Sequence, residues 1–215
     1  GAAAADWGYP QPGQPRSDIN SVFLDPEFDA WVARFERHGR EVYDRRHDIV
    51  AATGVKTGMV VADIGAGTGL FTRLFSTRVG ASGTVYAVDI SPKLVDYMKN
   101  RIKDEGLDNV EAILSREDST ELPADSVDFV FICDTYHHFE YPMTTLQSIH
   151  EALKPGGELV IIDFKRVPGF SSSWVMSHVR AGEQRVTAEI QSAGFELVQR
   201  LDFMQTQYFL RFRKQ

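Results

Sequence analysis

The 215-residue chain has one cysteine, Cys133, set inside an apolar run. No disulfide within the chain can hold it together, and the thiol reads as a small buried hydrophobe. Apolar stretches of the ~20 residues that cross a bilayer are missing. Blocks of lysine or arginine are missing too, and the formal net charge is −7. Long-range attraction to nucleic acid or to an anionic membrane is therefore not expected, and a small or neutral substrate is the default partner. Oligomeric state is left open. Residues 1–20 lack periodicity and are rich in Ala, Pro, Gly and Gln, which predicts a disordered tail. The first residue is Gly1 rather than Met; a cytoplasmic protein is expected, or an exported one if a signal peptide preceded it. A chain of this length can bury roughly 70% of its unfolded surface in one domain with an extension.

What the sequence does have is concentrated between Met59 and Thr72. Met59-Val60-Val61-Ala62-Asp63-Ile64 reads as a buried strand, and it breaks into glycines at 65, 67 and 69 before a helical pattern begins with Leu70, Phe71, Leu74 and Phe75. Such glycines allow a sharp turn and a close approach to a ligand, while the following helix aims unpaired N–H groups at the same place. A nucleotide-like cofactor fits there. The dinucleotide fingerprint G-x-G-x-x-G does not, because the third glycine comes one residue early and Leu70 holds its place.

Upstream, Phe28, Trp31, Val32, Phe35, Gly39, Val42, Arg46 and Ile49 recur at helical spacings, which predicts a helical segment over 21–54. Its many charges read either as a solvated face or as one side of a cover over the cofactor. Downstream, Thr84 to Asp89 is a second strand that ends in a carboxylate 24 residues past Gly65, the position from which an acidic side chain accepts ribose hydroxyls. Ser91-Pro92 caps and starts a helix with Leu94, Val95, Met98 and Ile102 inward. Asn109 to Leu114 and Ser126 to Cys133 are further strands, the latter followed at once by Asp134-Thr135-Tyr136-His137-His138-Phe139. Met143, Leu146, Ile149 and Leu153 mark a helix closed by Lys154-Pro155-Gly156-Gly157, and Glu158 to Asp163 is the next strand. Lys165 to Arg185 is irregular. A helix over Val186 to Ala193 and two strands, Phe195 to Leu201 and Gln205 to Phe212, finish the chain; their short connection demands an antiparallel hairpin.

In their order, the glycine turn, Asp89, an acidic residue four before Leu122-Pro123, the Leu-Lys-Pro-Gly-Gly stretch and the closing hairpin resemble the class I S-adenosylmethionine-dependent methyltransferases of small-molecule type. The resemblance covers residues 55–215. It implies an α/β, doubly wound, mostly parallel seven-stranded sheet in the order 3-2-1-4-5-7-6, with the last strand antiparallel and an N-terminal helical extension before it. It implies S-adenosylmethionine as cofactor, S-adenosylhomocysteine as product, and a donor site built from Asp63, Gly65, Ala66, Gly67, Asp89, Ile90 and Asp118, the last against the adenine amino group. Small-molecule methyltransferases without an added domain use N-terminal helices as a cover, and Tyr43 is the residue expected to lie over the cofactor.

In such a reaction the protein orients a nucleophile in line with the methyl carbon, and a base is needed only for an acceptor such as a hydroxyl. His137 and His138 are the candidates, as base or as substrate-positioning groups; being adjacent, at most one is expected to face the cleft. Asp134 and Asp163 end neighbouring strands as two metal-binding acids do in catechol-type methyltransferases, but Phe164 stands where the third ligand belongs. No metal is expected, and Asp134 is assigned as a cofactor or loop acceptor. Two rival readings stay open: a nicotinamide-dependent oxidoreductase and a non-catalytic S-adenosylmethionine-binding module. The methyl acceptor is not named by the sequence.

Overall fold

The computed structural model describes residues 7–9 and 28–215; the remainder of the expected tail, and the start of the expected helical extension at 21–27, lie outside the described residues. The elements are α1 (Phe28–Phe35), α2 (Glu41–Asp44), α3 (Arg46–Thr53), β1 (Val60–Ile64), α4 (Leu70–Val79), β2 (Thr84–Asp89), α5 (Pro92–Glu105), β3 (Val110–Leu114), β4 (Val127–Cys133), a 3-10 turn (Tyr136–His138), α6 (Pro142–Ala152), β5 (Leu153–Phe164), α7 (Ser173–His178), α8 (Glu183–Ser192), β6 (Phe195–Leu201) and β7 (Gln207–Lys214).

Seven strands form one sheet in the order β3-β2-β1-β4-β5-β7-β6. Pairing is parallel from β3 through β5, and β7 runs antiparallel to both β5 and β6. Because side chains alternate across a strand, a sheet covered on both faces needs apolar residues at successive positions. β4 shows this directly: Phe129 and Phe131 pack on one face with Phe71, Phe75 and Ile49, while Val130 and Ile132 pack on the other with Leu146, Ile149 and Ile190. Among the described residues no helix is long and apolar enough to cross a membrane.

The connections explain where the chain opens. Ser91 caps α5 by accepting the Leu94 N–H, and Pro92 occupies the first turn. Both features place the helix start just past Asp89. Lys154-Pro155-Gly156-Gly157 lies inside β5 rather than ahead of it, because Leu153 already pairs with Val127 across a register shift. Gly157 has no room for a side chain there: a Cβ would sit 2.9 Å from Lys154 O and from Leu153 Cδ2. The stretch expected to be irregular contains the short helix α7.

The N-terminal segment divides in two, and its halves pack in different places. Residues 41–53 pack on the flank. The Glu41 carboxylate accepts the backbone N–H groups of Gln205 and Thr206, each at 2.8 Å, and Arg211 of β7 donates to the α3 carbonyls of Ala52 and Thr53. Residues 28–40 instead lie across the open end of the strands. There Phe28 stacks on Tyr97 with ring centres 4.7 Å apart, and Glu36 pairs with Arg101 and Arg73.

Trp7 to Tyr9 depart from the expected disordered tail. They are placed against α8 and the loop before it, with the Arg180 guanidinium 5.0 Å from the Tyr9 ring centre and that of Arg185 at 5.2 Å. Two aromatic rings within reach of two guanidiniums supply the contact that the surrounding Ala, Pro and Gly cannot.

Candidate active site

A cavity of about 630 Å³ lies at the carboxyl ends of β1, β2, β4 and β5, within the range of about 300–1,000 Å³ usual for cofactor sites. Of the residues singled out from sequence, Asp63, Gly65, Ala66, Gly67, Asp89, Ile90, Asp134, His137 and His138 all line it. Tyr43 and Asp118 do not. Tyr43 belongs to the flank half of the N-terminal segment, where the Arg46 guanidinium covers its ring at 4.1 Å; the cover over the cavity is made by Trp31, Arg34, Phe35, Arg37 and Arg40 instead. Asp118 stands off the wall, whereas its neighbours Glu117 and Ser119 line it.

The glycine turn is shaped by its surroundings. Gly65 has φ +74°, and a Cβ there would fall 2.3 Å from Thr135 Oγ1. Gly67 has φ +57°, and a Cβ would meet nothing nearer than Gly65 O at 3.9 Å, so a side chain would fill the space that the turn leaves open. The turn is fixed from below by Asp89, whose Oδ2 accepts the Gly67 N–H at 2.9 Å and whose Oδ1 accepts the Ser91 N–H at 3.0 Å. Burial pushes the Asp89 carboxyl above the usual range against the pull of these bonds. Asp63 is buried beneath the turn with Thr72 Oγ1 donating at 2.8 Å, and burial pushes its carboxyl up to about 7.

At the end of β4 the backbone turns through Asp134 at φ +51°, a left-handed conformation that costs a non-glycine residue on the order of 1–3 kcal/mol. Its Oδ2 pairs with Arg40 of the cover at 3.0 Å, while its buried Oδ1 has no partner. Burial raises this carboxyl to about 6 although the Arg40 charge opposes the shift.

Both histidines line the cavity, their ring centres 4.0 Å apart, which corrects the expectation that only one would. Asp163 at the end of β5 accepts the His137 backbone N–H at 3.1 Å, and its Oδ1 lies 2.8 Å from His137 Nδ1. A carboxylate there requires the proton on Nδ1, which leaves Nε2 as the lone-pair nitrogen of the neutral ring. That Nε2 is buried and has no partner. Burial alone would lower the His137 pKa; the charge and hydrogen bond of Asp163 outweigh it and hold the ring above the usual histidine value. His138 is pushed down to about 3 by burial and by the His137 charge, so it stays neutral near pH 7. Phe164 and Trp174 flank the pair, with the Trp174 ring edge-on to His137 at 6.4 Å.

Sequence reasoning missed Trp31, Phe35, Arg40 and the link from Asp163 to His137. Trp31 and Phe35 are a helical i, i+4 apolar pair, which was the available signal; Arg40 meets Asp134 across 94 residues and left none.

A glycine turn after β1, a carboxylate closing β2 and a sheet whose seventh strand is reversed between β5 and β6 define a class I S-adenosylmethionine-dependent methyltransferase. A family model described as a methyltransferase domain matches residues 55–208, and the chain belongs to that family. It is 32% identical over 124 residues to the ubiquinone/menaquinone biosynthesis C-methyltransferase UbiE of Hydrogenovibrio crunogenus, a match covering 57% of this chain and 48% of the relative. The UbiE of Methylococcus capsulatus is 35% identical over 114 residues, covering 53% and 46%. The chain thus spans about half the length of these curated relatives. A crystal structure of a SAM-dependent methyltransferase from Aquifex aeolicus superposes with a TM-score of 0.77 at 26% identity, covering 88% of this chain and 99% of that one.

The buried carboxyls set the pH dependence of stability. A group with a raised folded-state pKa contributes stability that is lost as pH rises through that value. Asp63, Asp134, Asp89 and His137 all have this sign, whereas the depressed His138 contributes the opposite slope, finished by about pH 6.5. Without ligand, the melting temperature is expected to fall between pH 6.5 and 8, where Asp63 loses its proton. Asp63→Asn is expected to flatten that slope. Scanning fluorimetry checks both, and a melting temperature that rises across this window contradicts the assignment.

Proposed function

We propose that this protein transfers a methyl group from S-adenosylmethionine to a small-molecule acceptor whose nucleophile carries a proton, with His137 as the base. The observation that carries the reading is the unpartnered Nε2 of His137, a residue that lines the cavity and whose other ring nitrogen is held by Asp163. Bound S-adenosylmethionine supplies a methyl carbon activated by an adjacent sulfonium.

In this reading Asp89 accepts the ribose hydroxyls with the lone pairs that its backbone donors leave, and the Gly65-Ala66-Gly67 turn admits the donor close to the backbone. Ile90 packs beside the ribose, while Ser115, Glu117 and Ser119 bound the purine side in place of Asp118. Asp63 and the open oxygen of Asp134 face the cationic portion. Residues 28–40 act as the cover, held to β4 by Arg40, and exclude water from the transfer. His137 then takes the acceptor's proton through Nε2, and Asp163 stabilises the imidazolium that results. His138, held neutral, borders the acceptor with Phe164 and Trp174.

A hydroxyl, or a carbon made nucleophilic by deprotonation of the acceptor, needs such a base; a thiol or amine needs less help. The UbiE relatives are named as C-methyltransferases, which places a carbon acceptor among the first to try. The test is S-adenosylhomocysteine release across a panel of hydroxyl, carbon-acid, amine and thiol acceptors, beside melting curves with S-adenosylhomocysteine. A raised melting temperature and release with a proton-bearing acceptor are expected. Stabilisation with no release on any acceptor would favour the binding-module reading, and a nicotinamide absorbance change the oxidoreductase.

A further inference from the structure

Glu189 is a fully buried carboxylate on α8 that the proposed chemistry does not use. Its Oε1 accepts the Tyr136 hydroxyl at 2.8 Å, and its Oε2 lies 3.4 Å from Arg185 Nε. The Tyr9 hydroxyl hydrogen-bonds to the same carboxylate, and burial together with the Glu189 charge pushes the Tyr9 phenol up to about 12. Tyr136 opens the 3-10 turn that carries His137 and His138. At the other end of that turn, the Phe139 carbonyl accepts from Arg180 Nη2, and Arg180 lies over the face of the Tyr9 ring. The two ends of the histidine turn therefore lead to one side chain from the N-terminal segment, by its hydroxyl through Glu189 and by its ring through Arg180. Arg185 fastens the segment, donating to the Trp7 carbonyl and lying 5.9 Å from the Trp7 ring centre.

We propose that Tyr9 and Glu189 are positioning residues for the histidine turn: by clamping Tyr136 and Phe139 they fix the direction in which the His137 and His138 rings meet the acceptor. The proposal rests on the function assigned above only for what the turn does, and it concerns residues that touch neither reacting group. Physically, a three-residue 3-10 turn has poor internal hydrogen bonding and is not rigid by itself. A buried carboxylate with several donors and a guanidinium held against an aromatic face supply what the turn lacks.

The test uses the full chain and S-adenosylhomocysteine, with no acceptor needed. In Tyr9→Ala, hydrogen exchange at the His138 and Phe139 amides, which donate to Thr135 O and Tyr136 O, is expected to accelerate about tenfold, while exchange at Phe131 and Ile132 of β4 stays unchanged. The imidazole resonances of His137 and His138 are expected to move, and S-adenosylhomocysteine affinity to stay within about twofold, because of the donor-side residues only Asp134 adjoins the turn, and Arg40 holds it separately. Tyr9→Phe keeps the ring over Arg180 and loses the hydroxyl, so it should fall between. Glu189→Gln, which still accepts from Tyr136, should retain most of the protection. Wild-type exchange at His138 and Phe139 in Tyr9→Ala would overturn the proposal, and so would an acceleration spread evenly through β4. Failure of the base assignment shows separately, as full turnover in His137→Ala, and leaves the exchange result standing.

Discussion

His137→Ala is expected to lower turnover by about 10²–10⁴, the usual worth of a positioned base, while S-adenosylhomocysteine affinity stays near wild type. The separation follows from the geometry: His137 lines the cavity with its Nε2 unpartnered, and its recorded contacts run to Asp163, His138, Phe164 and Trp174 rather than to the glycine turn. Asp163→Asn sharpens the test. An asparagine oxygen can still accept from Nδ1, so the ring keeps its direction, but the charge that holds the His137 pKa up is gone. Because the base works deprotonated, the acidic limb of the kcat/KM profile should move to lower pH in this variant as kcat falls. Measured pH profiles of the three proteins decide the matter, and full activity in His137→Ala would remove it from the reaction.

Asp89→Ala is expected to weaken S-adenosylhomocysteine binding by about 2 to 4 kcal/mol, the scale of two charge-assisted hydrogen bonds lost at a buried site. This carboxylate also holds the Gly67 and Ser91 N–H groups, so part of the loss comes from a loosened turn. Asp89→Asn separates the parts, since an amide oxygen can retain one of the backbone bonds and leaves a poorer ribose acceptor. Calorimetry on both variants, with melting curves to confirm folding, gives the result. An affinity unchanged in Asp89→Ala would show that the ribose is held elsewhere.

The part of the cavity wall around the glycine turn was legible in the sequence because its determinants are local. A strand, three glycines and a carboxylate at a fixed distance are constrained by backbone geometry within some thirty residues, and Asp63, Gly65, Ala66, Gly67, Asp89 and Ile90 all lie on the cavity wall. The order of the sheet came from resemblance, since strand pairing is set by contacts that periodicity does not encode. What the sequence did not place turns on contacts of the same non-local kind. Tyr43 was chosen as a lone aromatic in a charged helix, but Glu41 two residues earlier is pinned to Gln205 and Thr206, which puts that stretch on the flank. Asp163, set aside as a metal ligand because Phe164 follows it, was given no other role; it meets His137, 26 residues away. The histidine pair was expected to split across the chain as neighbours in a strand do. A 3-10 turn rotates about 120° per residue rather than 180°, and the cavity is wide enough to receive both rings. Trp7 and Tyr9 were hidden by the composition around them; Arg180, Arg185 and Glu189, far away in sequence, give them a place.

The carboxyl ends of β1, β2 and β4 each bring a buried aspartate to the cavity, at Asp63, Asp89 and Asp134, and burial raises all three. Burial carries Asp63 to about 7 and Asp134 to about 6, so near pH 7 protons remain to be drawn off, chiefly at Asp63. A ligand carrying positive charge draws protons off such a group and a less cationic one draws fewer. The sulfonium donor and its thioether product differ by one positive charge at the reacting sulfur. Binding the donor therefore releases more protons to the buffer than binding the product, and raising the pH favours fresh donor over spent product at the same site. The same buried acids that favour the fresh donor are then expected to hold its spent product less tightly.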